Sequence, residues 1–316
     1  MTTSGQPLVS VIMNCYNSSA FLREAIDSVL AQTYRNWEIV FWDNQSTDES
    51  AAIVRSVRDP RVRYLYAPRH TRLGEARNLA VREARGEWIA FLDCDDLWTP
   101  DKLERQMALV DEEVRTRGVP PGFVYGRTTS FGPGIPETPY LEYPLDKPLP
   151  EGELLESLLE EGDHIAFSAL LVWRRAYWEI GGIHPELSFS EDYFLLAGIA
   201  ASHRARAVQT VCCRYRDHAS NLTKSLVLES FTEAAFVIRS WMDRVPEKTR
   251  DRLMSSRLPK LETYAALWYF RRGAWRDGRR HLKRAGTLYY ALRYFAKEAA
   301  FGMIRLMRAC LGRPAH

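Results

Sequence analysis

Three short apolar runs, each closing on a cluster of Asp and Asn, constrain this chain more than any other feature. Residues 8–13 (LVSVIM) run into Asn14, Tyr16, Asn17 and Ser18. Residues 37–42 (WEIVFW) run into Asp43-Asn44-Gln45-Ser46, and residues 88–92 (WIAFL) into Asp93-Cys94-Asp95-Asp96. Runs this short, rich in β-branched and aromatic side chains and bounded by turn residues, read as buried strands. Between the first two, Leu22, Ala25, Ile26, Val29 and Leu30 recur at helical spacing over residues 21–32. A further strand at 62–66 and a helix at 74–84 lead to the third run. Strand alternating with helix predicts a parallel α/β sheet. In such a sheet the three polar loops gather at the carboxyl ends of the strands, where ligands bind.

Downstream, residues 120–150 are rich in Pro and Gly and read as an irregular excursion covering the site, with further strands expected at 167–172 and 207–213. Beyond about Ser225 the pattern turns helical. The expected division is therefore 1–225, an α/β domain, and 226–316, a helical annex. Within the annex, residues 264–285 resemble a single tetratricopeptide-like hairpin, and one copy is not a repeat array.

With 316 residues, 46% hydrophobic and 26% charged, the chain suits one large globular domain plus a smaller part. A net charge of +3 argues for no nucleic-acid partner. Five cysteines without a C-x-x-C pairing read as reduced thiols of a cytoplasmic protein. The N-terminal residues show neither a basic leader nor a small-residue cleavage site, so a secretory signal is not expected. No run approaches the roughly 18 apolar residues of a spanning helix. From residue 288 onward a helical wheel sets Arg293, Lys297, Arg305 and Arg308 against Leu288, Leu292, Phe295, Met303, Leu306 and Cys310. That pattern suits peripheral contact with the inner face of the cytoplasmic membrane. A helix docked on the protein with its arginines in solvent fits it equally.

Asp93 and Asp95 stand two apart on an extended segment, so their side chains project to one side. Their repulsion is relieved by a hard divalent cation with oxygen ligands, Mn2+ or Mg2+. The residues alone also permit solvated loop acids or a cap for a helix starting near Asp101, and they leave Asp96 open. Trp98, Trp173 and Trp178 read as core residues, with stacking on a sugar as the alternative.

The strings VSVIMNCYN, WEIVFWDNQSTDES, LGEARNLAVREARGEWIAFLDCDDLWTPDKLERQ, IGGIHPELSFSEDYFLLAGIA and YRDHASN, in this order over the first 220 residues, resemble family two of the inverting glycosyltransferases. The resemblance implies a GT-A fold: a Rossmann-like, mostly parallel sheet flanked by helices. It also implies transfer from a nucleoside-diphosphate sugar, UDP-linked, to a hydroxyl of a glycan or lipid-linked acceptor in bacterial surface polysaccharide synthesis.

By the same resemblance Asn14 and Tyr16 surround the nucleobase and ribose. Asp43 and Asn44 fall where most members carry Asp-Asp against the uracil ring NH. Asn44 departs from that pattern, which leaves thymine and guanine open. Arg77 is implied near the nucleotide, Asp95 as metal ligand, Asp93 on ribose or metal, and His218 as completing the metal or diphosphate site. Asp192 of the Glu191-Asp192 pair is implied as the catalytic base; capping of the following helix is the structural alternative. An acceptor hydroxyl needs such a base, and a cation neutralising the diphosphate removes the need for a protein acid. Sugar nucleotidyltransferases carry a Gly-rich, Arg-containing loop after the first strand, where this chain has NCYNSSA. Glycoside hydrolysis, with its flanking carboxylates, fits poorly. A degenerate GT-A domain acting as scaffold or sugar-binding subunit would need none of Asp93, Asp95 or Asp192.

Overall fold

The computed structural model describes residues 5–142, 144–286, 289, 290 and 292. The tail helix read from residue 288 onward therefore lies outside the described residues but for Tyr289, Tyr290 and Leu292. Two compact units divide between Ser225 and Leu226.

The first unit opens with β1 (Val9–Cys15), α1 (Ser19–Leu30), β2 (Trp37–Asp43), α2 (Ser50–Ser56), β3 (Val62–Tyr66), α3 (Leu73–Arg82) and β4 (Trp88–Phe91). β1 lies between β2 and β4, parallel to both, and β3 extends the sheet beyond β2. Val9 stands level with Trp37 and Trp88, so Cys15 is level with Asp43 and the loop after β4 leaves from the same edge. β2 is buried along its whole length, which accounts for its continuous apolar run. α1 turns Leu22, Ala25, Ile26 and Val29 into the core, the face its spacing predicted.

The chain continues through β5 (Leu97–Trp98), α4 (Lys102–Arg117), β6 (Phe123–Gly132), β7 (Ile135–Pro139), α5 (Leu155–Glu161), β8 (Leu171–Trp173), α6 (Arg174–Glu179), α7 (Glu191–Ala200) and β9 (Ala205–Arg216). Among the described residues the sheet has nine strands in the order β3-β2-β1-β4-β8-β6-β9-β5, with β7 beside β6. β8 is antiparallel to β4 and β6, whereas β6 and β9 run parallel.

Two expectations need correction here. The stretch 120–150 is not all irregular, because β6 occupies the interior of the sheet between β8 and β9. Its sequence, FVYGRTTSFG, hides a strand behind a central Gly-Arg. Gly126 is required by close approach, since a Cβ there would lie 2.3 Å from Cys212 Sγ. Arg127 starts an irregularity in the β6–β9 register and binds the carbonyls of Gln209, Pro144 and Lys147, pinning the following loop. The expected strand at 167–172 is instead a 3-10 turn over Phe167–Ala169, with the strand beginning at Leu171.

α3 explains the string ARN. Ala76 is buried, Arg77 faces inward, and Asn78 clamps the loop before α7: its Oδ1 accepts from Ile183 N (3.0 Å) and Tyr177 Oη (2.6 Å), and its Nδ2 donates to Ile183 O (2.7 Å). Gly182, at φ +80°, brings that loop against Asn78.

The second unit holds α8 (Val227–Trp241), α9 (Glu247–Arg252), α10 (Leu258–Arg271) and α11 (Trp275–Ala285). α10 and α11 form the hairpin that the sequence suggested. Buried Glu262 ties it together, accepting from Arg239 (2.5 Å) and pairing with His281 (2.7 Å). Among the described residues no helix is long and apolar enough to cross a membrane.

The contact at Gly126 yields a test of the β6–β9 seam. Gly126→Ala is expected to lower stability by about 1–3 kcal/mol, the usual result of overpacking. Combined with Cys212→Ala it should cost less than the sum of the two changes. Urea denaturation of both single variants and the double variant measures this; strict additivity would rule out the contact.

Candidate functional site

Asp96 organises the loop after β4 from below. It is 1% exposed; its Oδ2 accepts from Ser168 Oγ (2.6 Å) and its Oδ1 from the backbone N–H of Arg216 (2.9 Å). Ser168 Oγ in turn accepts from the N–H of Asp93 (3.1 Å). Asp96 is thus a brace, and its engagement leaves Asp93 and Asp95 at the surface of the site, with side chains 41% and 29% exposed.

The end of β9 closes on the same place. Arg216 donates from Nε to the carbonyl of Asp95 (2.8 Å) and from Nη2 to Glu24 (2.9 Å). Asn221 folds the next turn back, accepting from His218 N and donating to Arg216 O. The result sets His218 Nε2 2.9 Å from Asp95 Oδ2, with Nδ1 on Ser220 Oγ and the ring of Phe21 alongside. The fold therefore joins Asp95 and His218 across 123 residues of sequence.

Burial and the neighbouring Asp93 charge push the Asp95 carboxyl above its usual range, against the opposing effect of His218. Asp96 is pushed well above it by burial and then by Asp95 and Asp93. Three carboxylates this close are a place where a cation gains. Among the described residues no group of three or more His, Cys, Asp and Glu side chains is arranged to hold a metal by itself. A hard cation at Asp93 and Asp95 would draw its other ligands from water and substrate phosphates, the way Mg2+ is usually held. On that donor chemistry the residues fit Mn2+ or Mg2+, with His218 adjoining.

Along the carboxyl ends of β1 and β2 the residues differ in how far they are already committed. Both ends of the Asn14 amide are buried with no protein hydrogen-bond partner, as expected of a group that serves a bound molecule or water. Tyr16 is half exposed, its ring 4.4 Å from that of His70. Asp43 is fully buried and accepts from Ser46 N (2.7 Å) and Tyr64 Oη (2.6 Å). Asn44 clips Thr71, donating to its carbonyl (2.8 Å) and accepting from its N–H (3.1 Å). Its amide therefore holds a loop in place.

Arg77 is nearly buried and its two arms go to carboxylates: Nη1 to Glu191 Oε1, Nη2 to Asp93 Oδ1 at 2.9 Å. Its guanidinium carbon lies 3.8 Å from the centre of the Phe167 ring. Burial alone would lower its pKa, yet the charges of Glu191 and Asp93 raise it above the ordinary value. Asp192 lies in the first turn of α7, whose N-cap is Ser190, and its Oδ1 accepts from Tyr193 N (2.6 Å). Burial, then Asp163 and Glu191, push its carboxyl well above the usual range, while Arg77 opposes. Asp163 itself is pushed up to about 7 by burial and by Glu191, although it accepts the N–H of Ile165.

Asp163, Ser168 and Arg216 had no assigned role in the sequence reading. Arg216 was legible as part of YRDHASN; Asp163 and Ser168 acquire their neighbours only through the tertiary fold. Trp98 is core, buried with its indole N–H on Ser168 O and the Lys102 ammonium over its ring. Trp173 and Trp178 line a cleft of about 400 Å³ with Arg85, Glu87, Arg174 and Arg175, by the Trp88 end of β4 and away from Asp93.

The family model described as "Glycosyl transferase family 2" matches residues 10–180, more than half of the chain. The chain belongs to glycosyl transferase family 2. It is 38% identical over 112 residues to a putative teichuronic acid biosynthesis glycosyltransferase, TuaG, of Bacillus subtilis, covering 35% of this chain and 44% of that protein. It is 41% identical over 103 residues to the Escherichia coli UDP-Glc:alpha-D-GlcNAc-diphosphoundecaprenol beta-1,3-glucosyltransferase WfgD, covering 33% and 41%. In both cases less than half of the relative is spanned. Among solved structures, S. aureus TarS 1-349 in complex with UDP-GlcNAc superposes with a TM-score of 0.59 at 17% identity, covering 87% of this chain and 90% of that one. Mannosyltransferase PcManGT from Pyrobaculum calidifontis, in complex with GDP-Man and Mn2+, gives 0.57 at 19%, covering 95% and 81%. The mixed sheet flanked by helices is thus the GT-A fold of a family 2 glycosyltransferase, as the sequence resemblance implied.

If the Asp93–Asp95 edge takes a cation, Mn2+ is expected to raise the melting temperature of the wild-type chain at pH 7, by about 2–4 °C for each kcal/mol of binding free energy. Asp95→Asn should lose most of the rise. Thermal scans with and without MnCl2 decide it, and an undiminished shift in the variant would remove Asp95 from the cation site.

Proposed function

We propose that this chain is an inverting, cation-assisted glycosyltransferase that moves a sugar from a nucleoside-diphosphate sugar, UDP-linked, to a hydroxyl of a glycan or lipid-linked acceptor in bacterial surface polysaccharide synthesis. The observation that carries the reading is the joining of two acidic groups through one buried cation: Asp93, beside Asp95 and His218, and Glu191, beside Asp192, share Arg77. A site that binds a diphosphate and activates a hydroxyl needs both parts within one cleft.

On this reading Asn14, Tyr16, Asp43 and Asn44 frame the nucleobase and ribose. Asp43 retains acceptor capacity beyond its two hydrogen bonds, the Asn14 amide supplies both donor and acceptor, and Asn44 acts by fixing the loop at Thr71. Asp93 and Asp95, with His218, hold Mn2+ or Mg2+, which when bound neutralises charge growing on the leaving diphosphate. Asp192 accepts the proton of the acceptor hydroxyl as that oxygen bonds to the anomeric carbon. The bond from that carbon to the diphosphate breaks on the opposite face, and configuration inverts. The raised affinity of Asp192 for a proton makes it a stronger base than an ordinary carboxylate.

The named activities of the relatives support the donor and acceptor classes: UDP-Glc and a diphosphoundecaprenol-linked sugar for the E. coli protein, teichuronic acid for that of B. subtilis. The bound UDP-GlcNAc and GDP-Man with Mn2+ in the two structures support the donor and the cation. A lipid-linked acceptor would place the chain in the cytoplasm, peripheral on the inner face of the membrane. Arg276, Arg279, Arg280, Lys283 and Arg284 on α11, all exposed beside a 60% exposed Trp275, would suit anionic lipid there.

Calorimetry with UDP, dTDP and GDP, with and without Mn2+, tests the donor site: one nucleotide is expected to bind only with the cation, and Asp95→Ala to abolish it. Binding of none under any condition would sink the reading. For the base, Asp192→Asn is expected to slow transfer by about 10²–10⁴-fold while nucleotide affinity stays within about threefold. Because Asp192 must be unprotonated, activity should fall as pH drops through its raised pKa. Asp163→Asn removes a charge that raises it and should move this acid limb to lower pH. An unmoved limb would detach Asp163 from the base.

A further inference from the structure

We infer that Arg77 is a positioning residue, a strut that sets the distance between the donor and acceptor halves of the site, rather than a ligand of the nucleotide. The inference rests on the proposed donor and acceptor assignment and goes beyond it.

Three observations carry it. First, Arg77 is 3% exposed, and each arm of its guanidinium already meets a carboxylate: Nη1 on Glu191, Nη2 on Asp93. Both arms are thus committed to holding carboxylates, and the 3% exposure leaves little of the group open to a ligand. Second, the plane is fixed from a third side by the Phe167 ring at 3.8 Å, and Phe167 opens the turn that contains Ser168, which holds the N–H of Asp93. Third, the two carboxylates come from separate elements. Asp93 leaves β4, whereas Glu191 opens α7 and precedes Asp192. α3 is also locked to the loop before α7 by Asn78 on Ile183. Movement of α7 relative to β4 must therefore break a charge-assisted hydrogen bond, and the one to Glu191 is buried on both sides.

The planar fork gives each carboxylate its own arm. A lysine keeps the charge but offers its donors from one flexible point, so it holds Glu191 and Asp93 in a less fixed relation. Among the described residues, the charged and titratable groups acting most strongly around Asp192 are Asp163, Glu191, Arg77 and the Tyr140 hydroxyl. Among them Arg77 is the one cation, and its loss should raise the affinity of Asp192 for a proton.

The test compares wild type, Arg77→Lys and Arg77→Gln in the full chain. Calorimetry with UDP and GDP plus Mn2+ reads the donor site. Hydrolysis of UDP-GlcNAc and GDP-mannose to water between pH 5 and 9 reads the base without an identified acceptor. The expected result is that Arg77→Lys binds the wild-type nucleotide within about threefold while hydrolysis falls at least about 30-fold, and that Arg77→Gln, which removes the charge, displaces the acid limb to higher pH. The strut is overturned by a tenfold loss of nucleotide affinity at unchanged maximal rate, which would make Arg77 a direct ligand, by a wild-type rate in Arg77→Lys, or by a wild-type pH profile in Arg77→Gln. Should wild type bind neither nucleotide, or bind one without hydrolysing either sugar, the donor and acceptor assignment gains nothing from these assays and the strut is judged by melting. Arg77→Gln alone must then lose more stability at pH 8 than at pH 5, and adding Glu191→Gln must recover part of the loss. Equal losses at both pH values, or no recovery, overturn it.

Discussion

Everything in the first unit that bears on chemistry depends on how repulsion among buried carboxylates is balanced. The loop after β4 and the start of α7 bring acids together where Asp96 and Glu191 are buried and Asp93 and Asp95 only partly exposed, so unpaired charge is costly. Arg77 is the counter-charge common to both. Its place in α3 is fixed by neighbours with no chemistry of their own: Ala76 is small enough for the helix to sit close, and Asn78 saturates the backbone at Ile183. The motif ARN is thus one helical turn with three jobs, packing, charge balance and loop retention.

A second balance lies beneath it. Asp96 faces away from the cleft and joins Ser168 to the end of β9, while Arg216 returns a donor to the carbonyl of Asp95. The three successive loop positions 94, 95 and 96 therefore differ in kind: Cys94 is a buried thiol donating to Asn14 O, Asp95 meets His218, and Asp96 is a structural acceptor. Rigid support of this type holds Asp93 and Asp95 on one loop edge, at the cost of raised proton affinity in Asp95 and Asp96. On the proposed reading, binding of a cation and diphosphate would relieve that cost and so would couple donor affinity to the stability of the loop.

Much of this was legible beforehand, and the reason is periodicity. β1, β2 and β4 are buried on both faces, so their apolar runs are continuous and their ends are marked by Asp and Asn. α1 and α3 present one apolar face each. β6 was missed because Gly126 and Arg127 interrupt its pattern, and the reasons for both lie on other segments: Cys212 on β9 for the glycine, the carbonyls of Pro144 and Lys147 for the arginine. The same holds at the site. Asp93, Asp95, Asp192 and His218 could be singled out from their strings, yet the contact of His218 with Asp95 and the neighbourhood of Asp163 and Asp192 are long-range facts that no local pattern encodes.

Asn44 shows how one substitution in a familiar motif can be absorbed by the fold. A carboxylate at that position could accept the N–H of Thr71 but could not donate to its carbonyl; the amide does both, closing a two-bond clip on a buried backbone segment. The clip also holds His70, whose Nδ1 meets Asn44 O at 2.9 Å and whose ring lies against Tyr16. The consequence is a transfer of function between side chain and scaffold. Where Asn44 spends its polar atoms on the loop, recognition of a base edge would, on the proposed reading, fall to the Asn14 amide, the remaining lone pairs of Asp43 and the Tyr16–His70 pair. On the proposed reading, the shape of the 70–71 loop that Asn44 fixes would govern selectivity among nucleobases, and changes to that loop should alter donor choice more than changes at Asp93 and Asp95.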